Sequence, residues 1–294
     1  MKNYQVIMIG AGPAGVSASL YTARAGLRTL IVGKDGGALE KAEMIGNYYG
    51  IGTPVSGREL FERGLAQARG AGAEYVRAEV VGLGFEETMT VSSTAGKFSA
   101  ECVIIATGAS RFTPDIRNVR EFEGRGVSYC AVCDAFFCRG KDVAVVGGGK
   151  YALCEAEELA SAAKKIYILT DGTVPEAAFP EGMEVIGKKI ASVEGNERVE
   201  AVVFGDGTSV KVSGVFLAYE TASSRDLAKK LGAAEDGGRI VVKADMSTNI
   251  PGLFAAGDCT GGLLQISKAV YEGTVAGMSA IKFIKNKSGK ELPS

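Results

Sequence analysis

The chain has 294 residues, 46% of them hydrophobic, which is enough apolar material for the cores of one large domain or two ordinary ones. With 33 Lys and Arg against 34 Asp and Glu the net charge is −1, so no basic field recruits nucleic acid or anionic lipid. Histidine is absent, which removes the usual acid/base side chain and metal ligand and leaves proton chemistry near neutral pH to a carboxyl, a thiol or a cofactor.

In chain order, "YQVIMI" predicts an apolar strand, then Gly10-x-Gly12-x-x-Gly15, then a helix rich in Ala, Leu and Tyr. These glycines serve a tight turn, close approach of a pyrophosphate, and close packing of helix on strand, with phosphates at the helix N-terminus. Nothing ahead of this strand has the form of a signal peptide, so the expectation is a cytoplasmic protein with reduced thiols. The next strand, "LRTLIV", ends in Gly33, where such motifs usually carry an acidic residue for the ribose. "MTVSSTAGKFSAECVIIATGAS" predicts a hairpin feeding a buried strand that ends at Thr107-Gly108.

A second strand-turn-helix unit follows in "DVAVVGGGKYALCEAEELA", with Gly147, Gly149 and Ala152 in the positions of the first motif's glycines. "RVEAVVFGDGTSVKVSGVFLA" is then a hairpin about Asp206-Gly207 and an apolar strand. The closing segment, "TNIPGLFAAGDCTGGLLQISKAVYEGTVAGMSAIKFI", predicts a strand, a Gly257-Asp258 turn and a long apolar helix. The fold class expected is α/β, with two Rossmann-like, doubly wound, three-layer domains. The first is discontinuous, built from residues 1–113 and 244–294, and the second is inserted over 114–243. The basic run "KFIKNKSGK" near the end is either a solvated helix terminus or a local docking patch.

Just ahead of the second motif, "YCAVCDAFFCRGKD" sets Cys130 and Cys133 two residues apart at the start of a helical turn. That spacing brings two sulfurs within bonding range, and a helix N-terminus favours the thiolate. Asp134 comes next, either as proton donor to a leaving thiolate or as a helix cap. A four-sulfur metal site with Cys138 and Cys154 matches no usual zinc spacing. Those two residues, with Cys102 and Cys259, read as small hydrophobes.

The glycine triplet, "GG" at Gly36-Gly37, Asn47 in "MIGNYYG", "ATGA", "CAVCD", "GGG" and "FAAGD" occur in the order and spacing of the low-molecular-weight thioredoxin reductases, which the chain resembles over nearly its whole length. The resemblance implies FAD in the domain made from both termini, a dithiol in the inserted domain, thioredoxin as acceptor and a homodimer. It places Gly10, Gly12, Ala14 and Gly15 at the pyrophosphate, and Gly37, Leu39 and Asn47 near the flavin. Val80 falls at the adenine, Thr107 and Gly108 alongside, Gly257 and Asp258 at the ribityl chain, and Gln265 with Ile266 at the isoalloxazine. Cys133 is then the sulfur that faces the flavin and Cys130 the one that attacks thioredoxin. Some members also carry glycine at the position of Gly33. Ala38 and Leu264 depart from the family's Gln and Arg.

The NADPH-using members end the strand after the second glycine motif in His-Arg-Arg, because a 2′-phosphate needs fixed cationic donors. Here the residues are Thr170-Asp171-Gly172, followed by "TVPEAAFPEG" without a Lys or Arg, and "YETASSRD" replaces a Gly-x-x-Pro-Asn loop. The pattern resembles the ferredoxin-dependent flavin thioredoxin reductases, which implies ferredoxin as donor. Alternatives are an NADH enzyme with Asp171 on the ribose, an NADPH enzyme with an atypical pocket, a deazaflavin-fed relative, and a flavin dithiol oxidase. Members of the last class resemble C-x-x-C-H, whereas this chain has C-x-x-C-D.

Overall fold

The computed structural model describes residues 2–108, 116–129, 131–219 and 224–287, with backbone alone at 132, 133, 224 and 225. The chain divides into two units, Met1–Ser110 with Ser223–Ser294, and Arg111–Ala222. No helix among the described residues is long and apolar enough to cross a membrane.

In the first unit the elements run β1 (Lys2–Ile9), α1 (Pro13–Arg24), β2 (Thr29–Gly33), α2 (Gly57–Gly70), β3 (Glu74–Arg77), β4 (Val80–Phe85), β5 (Met89–Ser93) and β6 (Gly96–Ile105). β3, β2, β1 and β6 lie side by side in parallel, with α1 and α2 as the crossovers from β1 to β2 and from β2 to the edge strand β3. The long β6 then shares its other edge. Lys97–Ala100 pairs antiparallel with β5, which pairs with β4, while Val103–Ile105 pairs with a strand from near the C-terminus. α2 begins at an N-cap, with the Ser56 hydroxyl accepting from the Glu59 N–H at 3.1 Å.

The second unit contains β7 (Val127–Ser128), α3 (Ala131–Asp134), a 3-10 turn (Ala135–Cys138), β8 (Asp142–Val146), α4 (Lys150–Leu159), β9 (Lys165–Leu169) and β10 (Met183–Ile186). β11 (Ile190–Gly195), β12 (Val199–Phe204), β13 (Ser209–Lys211) and β14 (Gly214–Leu217) complete it. β10, β9, β8, β14 and β7 form a parallel sheet, and β11, β12 and β13 an antiparallel one. Ala144, Val146, Leu169, Val215 and Leu217 of the former pack against Val193, Val202, Phe204 and Val210 of the latter. α4 packs on β8 and β9, so helix, parallel sheet and antiparallel sheet make the three layers of the sequence reading.

The chain then returns to the first unit with α5 (Ser224–Lys230), β15 (Glu235–Asp236), β16 (Arg239–Ile240), β17 (Leu253–Ala255), a 3-10 turn (Asp258–Thr260) and α6 (Ile266–Lys287). β17 is the strand paired with β6. α6 lies so close to α1 that a Cβ at Gly273 would stand 2.2 Å from the Ala14 carbonyl oxygen. The expected second boundary, 243/244, is corrected. α5 packs against β4 and β16 against the Asp258–Thr260 turn, so the return begins about twenty residues earlier, at Ser223. The first boundary, 113/114, lies outside the described residues.

Candidate functional site

The C-terminal ends of β1, β2, β6 and β17 converge on the start of α1. Gly10 holds φ +111°, and a Cβ there would meet the Ala106 oxygen at 2.3 Å, so Thr107 and Gly108 at the end of β6 lie beside the turn. Gly15 abuts the Gly10 oxygen, with only 2.0 Å left for a Cβ, which is the helix-on-strand contact the motif requires. Gly33 has a comparable reason to lack a side chain. Its Cβ would sit 2.7 Å from the Ala11 nitrogen, so a ribose-binding carboxylate has no room on this backbone. A Cβ on Gly257 would touch that of Ala14 at 3.0 Å, which brings the Gly257–Asp258 turn over the first turn of α1.

These residues fit FAD. Gly12 caps α1 without a side-chain hydrogen bond, Pro13 opens the helix, and a Cβ on Gly12 would meet only the Gly36 oxygen, at 3.9 Å. A pyrophosphate can therefore approach the amides at the helix N-terminus. Asp258 is half-buried, and among the described residues no protein group hydrogen-bonds its carboxylate, as suits a group reserved for a ligand hydroxyl. Gly37, at φ +62°, follows Gly36 in the facing turn. Leu39 is half-buried where Gly57 of α2 abuts its carbonyl, and Asn47 is exposed in the loop clipped by the Ile45–Val55 bridge. Val80 is buried at the start of β4, two residues beyond Ala78, whose N–H donates to the Gly33 carbonyl. Gln265 is exposed, and Ile266 is half-buried at the first residue of α6.

Sequence reasoning missed two residues at this site. Lys268 Nζ donates to the Gly257 carbonyl at 2.8 Å, the Thr260 hydroxyl at 2.9 Å and the Gly261 carbonyl at 2.5 Å. Glu272, one turn on, pairs with Lys268 at 2.9 Å and accepts from the Gly257 N–H at 2.8 Å. The pair straps down the turn that carries Asp258. Its only signal in the sequence is the i, i+4 spacing.

The second glycine turn is built alike and finished differently. Gly147, at φ +145°, abuts the Ala218 oxygen, where a Cβ would come to 2.1 Å, and Gly149 caps α4. Here the loop after β9 lies on the turn: the Glu176 and Ala177 N–H groups donate to the Gly148 carbonyl at 2.8 and 3.0 Å. A Cβ on Gly148 would stand 3.2 Å from Pro175 Cα. Asp171, at φ +51° with a side chain only 12% exposed, accepts from the Ile190 N–H at 2.7 Å, Lys189 Nζ at 2.8 Å and the Tyr219 hydroxyl at 3.2 Å. Burial and the neighbouring Asp171 carboxylate push the Tyr219 hydroxyl far above the ordinary tyrosine range.

Of the dithiol, Cys130 lies outside the described residues. Cys133 is in α3, where only its backbone is described. Asp134 closes α3 and heads the 3-10 turn without capping it, which leaves its carboxylate to accept from the Ser128 hydroxyl at 2.6 Å. Phe136 and Phe137 follow, 73% and 64% exposed, edge to face with each other. Cys102, Cys138 and Cys259 are buried and Cys154 is half-buried.

The family model described as pyridine nucleotide-disulphide oxidoreductase matches residues 4–273. A thioredoxin reductase of Aquifex aeolicus is 36% identical, over 99% of this chain and 95% of its own length. One from Listeria innocua is 35% identical over 97% and 95%. Among solved structures, the atypical thioredoxin reductase of Desulfovibrio vulgaris Hildenborough aligns with a TM-score of 0.90 and 41% identity, covering 96% of this chain and 98% of that one. A ferredoxin-flavin thioredoxin reductase of Clostridium acetobutylicum aligns at 0.72 and 31%, covering 97% and 99%. With the glycine turn, the free Asp258 carboxylate and the C-x-x-C-D segment in place, the chain belongs to the thioredoxin reductases of the pyridine nucleotide-disulphide oxidoreductase family, flavoproteins whose cofactor is FAD.

Proposed function

We propose that this flavoprotein reduces thioredoxin through the Cys130–Cys133 dithiol and takes its electrons from reduced ferredoxin rather than from NADPH or NADH. One observation carries the choice of donor, the closed second glycine turn. An adenosine 2′-phosphate needs cationic donors where β9 ends. That position holds Asp171, a carboxylate where a cation is needed, and its two oxygens already accept from Ile190, Lys189 and Tyr219. The similarity to the ferredoxin-flavin enzyme of Clostridium acetobutylicum favours the same donor.

Bound FAD supplies the conversion of single electrons into the pair that a disulfide takes up. The chain's own residues do the rest. Gly10 to Gly15 and the Lys268–Glu272 strap hold the cofactor site, and the dithiol belongs to the segment that runs into α3. The Cys130 thiolate attacks one sulfur of the acceptor disulfide, and the other acceptor sulfur leaves as thiolate. Cys133 then attacks Cys130 in the mixed disulfide, which re-forms Cys130–Cys133 and releases the second acceptor sulfur. Asp134, oriented by Ser128, hands a proton to a departing sulfur. Phe136 and Phe137 offer the acceptor an apolar surface next to the dithiol. Exposed Tyr21 on α1 with Tyr271 and Met278 on α6 give a second copy of the chain a surface to cover, consistent with a homodimer. A working dithiol suits the cytoplasm, where thiols stay reduced.

The test is turnover of a thioredoxin disulfide by the holoenzyme with photochemically reduced ferredoxin as sole donor. Activity is expected in the wild type, and Cys133→Ser should keep its flavin absorbance while losing turnover. Retained turnover in that variant would remove the pair from the mechanism. Turnover with NADPH at a rate matching ferredoxin would overturn the choice of donor.

A further inference from the structure

Two surfaces of the first unit stand at opposite ends of α6, a helix of 22 residues and therefore about 33 Å long. Lys282, Lys285 and Lys287 occupy its last turns. At the other end Leu263 and Leu264, consecutive in the chain, are 68% and 50% exposed, and Gln265 after them is exposed as well. Arg239, on β16, is exposed and lies against the same segment: a Cβ on Gly261 would stand 2.3 Å from its Cδ and 3.0 Å from its Cζ. Asp236 is its partner across the β15–β16 pair, yet among the described residues no carboxylate forms an ion pair with Arg239. The backbone of this turn is fixed, since Lys268 Nζ holds the Gly257 and Gly261 carbonyls and Glu272 holds the Gly257 N–H.

We propose that reduced ferredoxin docks on the surface formed by Arg239, Leu263 and Leu264 at the start of α6, a reading that rests on ferredoxin as donor. A ferredoxin is a small acidic iron–sulfur protein, so its surface complements an arginine without a carboxylate partner. Charge over the whole unit points the same way: residues 1–110 and 223–294 hold 20 Lys and Arg against 17 Asp and Glu, and residues 111–222 hold 13 against 17. Two neighbouring exposed leucines supply an apolar centre for the contact, and the arginine supplies its charged anchor. The patch is small, as electron-transfer contacts are, because the partners must part after each transfer. Position excludes the lysines at the far end as the point of entry. Electron transfer weakens steeply with distance, and Leu264 stands two residues from Ile266, which the resemblance puts at the isoalloxazine, whereas Lys287 is a helix length away. Two ferredoxins dock in turn and are each oxidised by one electron. With two protons from water, that electron pair reduces the Cys130–Cys133 disulfide to two thiols.

The test mixes the oxidised holoenzyme anaerobically with photochemically reduced ferredoxin in a stopped-flow instrument and follows the second-order rate constant of flavin bleaching from low salt to about 1 M, where the Debye length is about 3 Å. Arg239→Glu should slow bleaching about tenfold at low salt, and Asp236→Lys, which adds positive charge beside the same arginine, should speed it. Both should converge on the wild-type rate at high salt. A gain of rate cannot come from a damaged site. Leu263→Ser with Leu264→Ser keeps the charge and should slow bleaching about tenfold at every salt concentration, with the flavin spectrum unchanged. Lys287→Glu makes the same change in net charge as Arg239→Glu at the far end of α6, and should leave the low-salt rate within about twofold of wild type. Wild-type rates in both Arg239→Glu and Asp236→Lys, or a larger loss in Lys287→Glu, overturn the docking surface and leave ferredoxin as donor. If Arg239→Glu fails to hold its flavin, Asp236→Lys decides. No bleaching of the wild type by ferredoxin contradicts the donor itself and takes the docking surface with it.

Discussion

The two glycine turns of this chain start from one plan and end in opposite conditions. At Gly10–Gly15 the helix N-terminus faces space, with Gly36 as the nearest wall to a Gly12 Cβ, and among the described residues no protein group hydrogen-bonds the Asp258 carboxylate. At Gly147–Gly149 the same backbone geometry is present, but residues 175–177 lie on it and Asp171 is tied to three donors. A glycine motif thus specifies a strand-turn-helix corner and no more. Whether a dinucleotide binds there is decided by the loop after the next strand.

Substitutions at the two turns should separate these conditions. The largest effect is expected at Gly15, where any side chain must displace the Gly10 carbonyl. Gly15→Val should yield no folded holoenzyme, as read from soluble yield and flavin absorbance. Gly12→Val should fold, by far-UV circular dichroism, and carry no FAD, because its side chain fills the space left for the pyrophosphate. At the second turn the effects should be on stability alone. Asp171→Ala leaves the Ile190 N–H without its acceptor and should cost about 2–3 kcal/mol in denaturant unfolding, with ferredoxin-driven turnover retained. Loss of turnover in a stably folded Asp171→Ala would restore a cofactor role to that site.

Smaller effects sharpen the picture of the first turn. Lys268→Met removes three donors from the Gly257–Gly261 turn and should weaken FAD binding about tenfold, near 1.4 kcal/mol, in a flavin-release titration. Burial pushes the Cys259 and Cys102 thiols from the usual 9.0 up to about 12. A thiol raised in the folded state stabilises fully below its unfolded value, and this contribution is lost as pH climbs through 9 toward 12. Thermal unfolding midpoints should therefore fall over that window, and less steeply in Cys259→Ala.

Much of this architecture can be read from residue patterns because it is written in short-range signals. The two glycine turns, the Asp206-Gly207 hairpin and the long closing helix all follow from turn chemistry and apolar runs. The return to the first unit at Ser223 could not be read in that way, because α5 is short and its place depends on packing against β4, far away in sequence. Closure of the second turn escapes sequence as well. The Glu176 and Ala177 contacts are made by backbone N–H groups that almost any residue would supply. Gly33 is a subtler case. It looks like a defect in the motif until its contact with Ala11 shows that the backbone leaves a side chain no room.

In the proposed function the second nucleotide fold serves as scaffold and electrons enter from a protein. Anaerobic titration of the oxidised enzyme, following flavin absorbance in the visible, tests this, with NADPH and NADH added in turn and then reduced ferredoxin. Bleaching by ferredoxin and none by either nicotinamide is expected. Rapid bleaching by stoichiometric NADPH or NADH would contradict it, and would mean that the loop over Gly148 opens to admit the dinucleotide.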